Sequence, residues 1–531
     1  MSLLSPADLS AQRRQTLLLA AIATGLYLAL CLGLFLAIKG RNAGHFLFAL
    51  DDPYIHLALS DGIAHGHYGV NPGEFASPSS SVLWPFLLAP FAAWPQHALI
   101  PLFMNIAAGV GFAILAAAAV ARWPEPEDVR PGTSAEIWRR ILSVVALVFI
   151  ANLVGLTFIG MEHTLQVLLA GAGAWAIVAC LRGRPIPWWS LVAVAIGPSV
   201  RYENLGIALA VAIALLGRRQ WQRAGGLLAV SVAPLLAFSA YLHRLGLPWV
   251  PTSILIKSRV QNAFGMQHTG FALVGNNLGD LFSEPGRMMV LILFITLAAL
   301  AVRERVRERR FALSGAATAV GLHLLIGRFD WFHRYEVYIV TFSVLIVLHI
   351  VHERPRGLTG WYALGLLGCC FPYIQAMHET VLASNQVYRQ QYQTRRFLEN
   401  YYTGNVAVND VGLVSYRHRP GMYVLDLWGL ASAEAAQQQH RTTAWMDAIV
   451  RAHHVGLVVI YPLWFPPPPP DWTPLGEICL SDAPVVLGNA CVSYYATPEA
   501  PADLEGKFDY FETTLPVGTT IRPPDGPPFY R

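Results

Sequence analysis

The chain has 531 residues, 54% of them hydrophobic and only 13% charged, with a net charge of +4. Soluble globular proteins carry about 25% charged residues, so this composition excludes an ordinary soluble enzyme and points to an integral membrane protein. The positive charge is small and spread along the chain, with no basic block suited to nucleic acid.

Arg13 and Arg14 precede the first apolar run, Leu17 to Ile38. At about 22 residues and without a small-residue cleavage site, it reads as a retained membrane helix, not a signal peptide. The next stretch, "FLFALDDPYIHLALSDGIAHGHYGVNPGEFASPSSSVLWPFLLAP" (46–90), puts two adjacent carboxylates, Asp51 and Asp52, beside hydrocarbon. Charge in that position is costly and calls for a reason. Asp52 ahead of Pro53 predicts a helix N-cap with proline in the first turn, which leaves Asp51 for another role. "HGHYG" (65–69) reads as loop histidines. The segment 81–94 carries Pro85 and Pro90 and precedes Pro95, so it predicts a helix lying on or dipping into the interface.

Further apolar runs predict helices over 99–121, 141–159, 164–181, 188–200, 204–217, 224–243, 287–302, 311–327, 336–351 and 358–377. With the first, they make about eleven spans. Alternating from a cytoplasmic N-terminus, the inner loops become 122–140, 182–184, 218–223, 303–310 and 352–356; with the N-terminus they hold 18 arginines. The outer connections hold nine Lys plus Arg, so the bias supports this orientation. The fold expected is an α-helical polytopic membrane domain over 1–377, whose first outer loop is 39–98.

An odd number of spans places 378–531 outside the cytoplasm. There "NVAVNDVGLVSY", "GMYVLDLWGLAS" and "HVGLVVIYPLWF" read as short buried strands, predicting a small extracytoplasmic α/β domain. "NDVG" (409–412) reads as a turn joining strands, Pro466 to Pro470 as a stiff spacer or loop, and "PVGTTIRPPDGPPFYR" as an extended tail. Cys31, Cys180, Cys369 and Cys370 lie in apolar runs as packing residues, while Cys479 and Cys491 can pair if their domain is exported.

In this topology the unexplained polar residues share one side. They are Asp51, Asp52, His56, Asp61 and Glu74; Glu162 and His163; Arg201, Tyr202 and Glu203; Lys257 and Arg259; and Asp330, His333, Arg334 and Glu336. Each has a structural reading: Glu162 as a helix cap, Arg201 with Glu203 as an ion pair, Lys257 and Arg259 on lipid headgroups, Arg334 snorkelling. Together they describe a cavity at the outer membrane boundary, carboxylates on one side and cations on another. There a carboxylate can act as general base on an acceptor hydroxyl, and cations can hold a departing phosphate. A donor with a polyisoprenoid tail reaches such a site sideways from lipid.

The first loop, from "DDPYIHLALSDG" through the Asn-Pro-Gly turn to "SPSSSVLWPFLLA", resembles that of GT-C superfamily membrane glycosyltransferases. It is most similar to the bacterial branch that includes the mycobacterial cell-wall arabinofuranosyltransferases. The similarity continues in "GMEHTLQVLLAG", "VRYENLGIALA", "LGLPWVPTSILIKS" and "HRYEVYIV", and in the C-terminal "VAVNDVGLVSYRHRPGMYVLDLWGLAS". Relatives often read Arg-Pro-Glu where this chain has Arg201-Tyr202-Glu203. The resemblance implies Asp51 or Asp52 as catalytic base, with Asp51 preferred, and a polyprenyl-phosphate sugar as donor. The acceptor would be a cell-envelope glycan, lipid or protein. His56, Glu162, Arg201 and Glu203 become candidate substrate contacts, and Lys257, Arg259 and Arg334 candidate phosphate contacts. Members differ in metal use, and no ligand set in this chain decides it. The expected location is the bacterial cytoplasmic membrane. The competing readings are a transporter or flippase of lipid-linked sugars, which would carry mid-membrane sites and internal repeats, other lipid-linked sugar chemistry such as polymerisation or ligation, and a structural role.

Overall fold

A computed structural model describes residues 6–123, 134–256, 270–329, 331–352, 359–438 and 440–523. It is mostly helical, with one six-stranded sheet near the C-terminus. Each apolar run predicted to be a helix falls on helix, 141–159 on two of them. In chain order the first ten helices are α1 (Pro6–Arg41), α2 (Asp52–Ala64), α3 (Trp84–Leu88), α4 (Ile100–Val120), α5 (Ser134–Ile150), α6 (Leu153–Ile159), α7 (His163–Leu181), α8 (Trp188–Val200), α9 (Leu205–Gly217) and α10 (Trp221–Arg244). Beyond them run the helices Pro285–Arg303, Arg307–Ile326, Val337–His352 and Thr359–Arg389.

Among the described residues, six helices are long and apolar enough to cross a membrane: Gln12–Arg41, His97–Val120, Glu136–Ile159, His163–Leu181, Trp221–Arg244 and Pro285–Arg303. Trp188–Val200, Tyr202–Gly217 and Val337–His352 are shorter and also apolar. Length and apolarity thus support a multi-pass membrane protein. The proline-rich segment 81–94 is broken into α3 and a single 3-10 turn, Ala89–Phe91, so it is no span. The predicted span 141–159 is interrupted at Asn152, which adopts a left-handed backbone between α5 and α6, a conformation asparagine tolerates.

The chain forms two compact units that do not follow chain order: Met1–Leu34 with Leu102–Ala237 and Gln267–His378, and Phe35–Pro101 with Phe238–Met266 and Glu379–Arg531. In the first, α9 lies so close to the helix Arg307–Ile326 that a Cβ on Gly315 would meet the Ala210 carbonyl oxygen at 2.4 Å. Small residues permit this approach where lipid offers no hydrophobic drive. The arginine-rich loops gather at one end of these helices. Arg182 Nη1 donates to the Arg122 carbonyl (2.7 Å), Arg218 Nη1 to the Arg184 carbonyl (2.6 Å), and Arg218 pairs with Glu308 (3.2 Å). Glu136 joins Arg140 and His352 at 2.6 and 3.5 Å. Loops that the charge bias assigns to a single face therefore touch one another.

The second unit is built on the sheet, in the order β2 (Val424–Asp426), β1 (Asn405–Val408), β3 (Val455–Ile460), β5 (Cys491–Ala496), β4 (Thr473–Leu480) and β6 (Thr519–Arg522). β2, β1 and β3 are parallel; β3, β5, β4 and β6 pair antiparallel. The three predicted strands are β1, β2 and β3, and β3 is buried at every position. Within the expected tail, Thr519–Arg522 is instead an edge strand bonded to β4, with Thr519 buried and Thr520 exposed; residues 524–531 lie outside the described residues. Cys479 and Cys491, opposite each other on β4 and β5, form a disulfide. Tyr494 packs with Phe397, Phe508 and neighbouring rings, which fastens the helices Gln391–Asn400 and Leu504–Glu512 to the sheet.

The first loop belongs to this same unit. Asn71 extends β2 as a strand would, accepting from Val424 N (3.0 Å) and donating to its carbonyl (2.9 Å). Glu74 accepts from Tyr423 OH and Ser432 Oγ, and Thr252 donates to Ser77 and Leu430 carbonyls. A cluster of Leu59, Tyr68, Phe238, Leu242 and Leu247 packs Leu59 of α2 against the start of the 238–266 segment.

Candidate active site

The aspartate pair opens α2, but not as predicted. The helix begins at Asp52, Asp51 occupies the capping position, and Asp51 makes no side-chain cap bond. Its carboxylate turns instead to a distant segment: Oδ2 accepts from Gly412 N at 2.7 Å and Oδ1 from Leu413 N at 2.8 Å. These amides open the one-turn helix Gly412–Ser415, where no intrahelical partner exists for them. "NDVG" is therefore more than a turn between strands.

Asp410 comes with it. It follows the carboxyl end of β1, where open parallel sheets place their ligand sites. Its Oδ2 accepts from Gln391 Nε2 and Tyr461 OH, both at 2.8 Å. Burial, then the charge of Asp410, pushes the Asp51 carboxyl up to about 8 against the pull of its two amide donors. Asp410 is raised likewise, by burial first and by Asp52 among its neighbours. Burial and the neighbouring negative charge both favour the protonated form of each acid. Nothing in the local sequence marked Asp410, because its relation to Asp51 spans some 360 residues of chain.

The pH dependence follows. The unfolded carboxyl loses its proton near pH 4 and the folded one near pH 8. Between those values the folded chain holds the extra proton, so stability falls as pH rises through that window and levels off above it. The melting temperature of the detergent-purified protein should fall between pH 5 and 8, and Asp410→Asn should make the slope shallower.

Two further polar residues of the first loop lie in this unit. His56 is buried, its Nδ1 3.1 Å from Ser79 Oγ. Asp61 lies 3.7 Å from His97 and 3.6 Å from Arg417.

In the first unit a second cluster forms at the end of α7 away from the arginine-rich loops. Glu162 precedes α7 without making a side-chain cap bond; fully buried, it accepts from Arg201 Nη1 at 3.0 Å. Arg201 also forks onto Glu203 at 2.7 and 3.2 Å, so the expected Arg201–Glu203 ion pair is present and extends to Glu162. Tyr338 OH donates to the Glu203 carbonyl at 3.4 Å. Arg334 is 2% exposed and therefore does not snorkel; it donates to Met161 Sδ (3.0 Å) and Tyr335 OH (3.1 Å). Three guanidiniums, of Arg201, Arg328 and Arg334, approach the Tyr335 ring at 5.6, 6.0 and 5.0 Å. Directly before Arg334, Trp331, Phe332 and His333 are all left-handed, at about 1–2 kcal/mol per residue for L-amino acids. His333 Nδ1 sits 2.8 Å from buried Glu336. Lys257, Arg259 and Asp330 lie outside the described residues.

Among the described residues, one group has metal-ligand types in reach of one another, Glu477 with Cys479 and Cys491. The disulfide takes both its thiolates.

A domain of unknown function (DUF8728) matches residues 383–495, within the C-terminal part of the second unit. No curated protein matches the chain. Among solved structures the chain is similar to the Archaeoglobus fulgidus oligosaccharyltransferase, crystallised in complex with Zn and sulfate. The identity is 13% and the TM-score 0.36, over 94% of this chain and 74% of that one.

Proposed function

We propose that the chain is a GT-C-type glycosyltransferase that moves a sugar from a polyprenyl-phosphate donor to a glycan, lipid or protein of the cell envelope. It works on the outer face of the bacterial cytoplasmic membrane, with residues from 378 onward outside. The observation that carries this reading is the aspartate pair at the start of α2, held in place by two backbone amides in a chain with several membrane-length helices. The first-loop resemblance supplies the chemistry. The disulfide supports an exported location for the C-terminal part, and the mutual contact of the arginine-rich loops supports the orientation.

Asp51 has both carboxylate oxygens engaged, so we assign it a positioning role and make Asp52 the base. Asp52 takes the proton of the acceptor hydroxyl as its oxygen bonds to the anomeric carbon. The bond from that carbon to the phosphate oxygen breaks, and the polyprenyl phosphate leaves with the electron pair. Cations offset its charge, a role the first-loop resemblance assigns to Lys257 and Arg259. In the first unit Arg201 is held by two carboxylates, Glu162 and Glu203.

The test incubates purified protein in detergent with radiolabelled polyprenyl-phosphate sugar and cell-envelope acceptors. Label is expected to move to the acceptor. A transporter would leave it on the carrier, since detergent provides no second compartment.

A further inference from the structure

A cavity of about 200 Å³ opens in the first unit between α4 and α7, at the end where the arginine-rich loops meet. Leu115 and Ala119 of α4, Trp175 and Val178 of α7, and Leu345 make its walls apolar. Arg122, Arg182 and Arg184 stand among its lining residues, and no acidic side chain does among those described. We propose that this cavity binds an anionic glycerophospholipid of the surrounding membrane. The phosphate lies on the three guanidiniums and part of an acyl chain in the apolar slot.

Two of the cations are already positioned for it. Arg122 Nη1 donates to the Ala118 carbonyl at 2.8 Å, and its guanidinium lies 5.4 Å from the Trp175 ring centre. Arg182 is tied to the Arg122 carbonyl, so the two loops present their charges together. Guanidinium matches phosphate through paired N–H donors, and little side-chain freedom remains to be lost on binding. Burial, with Arg184 beside it, holds the Arg122 value below its ordinary one; a bound anion relieves that crowding. Trp175 and Trp189 meet edge to face at 5.5 Å, and tryptophan gathers at the depth of lipid headgroups. Basic pockets between membrane helices suit such headgroups, whereas a soluble anion has no use for the apolar slot.

The experiment measures the melting temperature of the full chain in neutral detergent with added phosphatidylglycerol, phosphatidylcholine of the same acyl chains, or inorganic phosphate alone. Phosphatidylglycerol is expected to raise it by about 2 °C or more, and the other two to leave it unchanged. Two variants remove the shift by different routes: Arg122→Gln with Arg184→Gln deletes charge, and Ala119→Phe fills the slot with the charge intact. An equal shift with phosphatidylcholine or with phosphate overturns the proposal, as does a full phosphatidylglycerol shift in Ala119→Phe. Should the arginine variant fail to fold, Ala119→Phe still decides.

Discussion

Asp52→Asn is expected to lower sugar transfer by about 100- to 10,000-fold, the range that a general base contributes. Its melting temperature should stay close to that of the parent. The carboxylate lies in the first turn of α2, where losing its charge costs about 0.3–1 kcal/mol of dipole stabilisation. Asp51→Asn should behave differently. Both Asp51 oxygens accept from backbone amides, at 2.7 and 2.8 Å, and an asparagine side chain has one accepting oxygen and a nitrogen that only donates. One of those amides would then face a donor, at about 1–3 kcal/mol. Asp51→Asn is therefore expected to lose stability as well as transfer. Measuring both quantities on the same preparations separates the roles. Full transfer in Asp52→Asn would return the base to Asp51.

The division of labour between the two acids shows where sequence reasoning reaches its limit. The helices were legible because apolar length is a local signal: each run predicted from hydropathy lies on helix. β1, β2 and β3 were legible as short apolar runs bounded by turn residues. β4 was not, since its Pro474 and Gly476 break the strand pattern and its register shifts there. The charge bias read from loops reappears as physical contact among Arg122, Arg182, Arg184, Arg218 and Glu308. In contrast, the capping reading of Asp52 failed by one residue, and that residue decides which carboxylate is held. What displaced it was a pair of amides far along the chain, which no window on residues 46–90 contains. The left-handed run Trp331–His333 is equally silent in sequence, because none of its residues is a glycine or asparagine that would announce it. Arg201 stands between these extremes: its pairing with Glu203 was local and foreseen, and its second carboxylate, Glu162, lies 39 residues away.

Gly412→Ala is the sharpest structural test of the arrangement. A Cβ at this position would sit 2.2 Å from the Asp51 carbonyl oxygen and 2.6 Å from Asp51 Oδ2. The closer atom is backbone, so no rotation of the Asp51 side chain relieves the clash. The start of α2 and the helix Gly412–Ser415 must move apart, which also lengthens the two amide bonds to the carboxylate. Overpacking of this kind costs about 1–3 kcal/mol, and the stretched bonds add about 1 kcal/mol each. The variant should melt several degrees lower and transfer sugar poorly, because Asp51 no longer fixes the start of α2. Shortening Asp51 as well should restore little, since the carbonyl remains. Gly506 supplies the control in the same unit: it lies inside the helix Leu504–Glu512 with nothing within 4 Å of an added Cβ. There alanine should be neutral or stabilise by about 0.5–1 kcal/mol through helix propensity. If Gly412→Ala instead melts and transfers like Gly506→Ala, the amides of 412 and 413 do not hold Asp51. The positioning role then falls, and with it the reason for choosing Asp52 as the base.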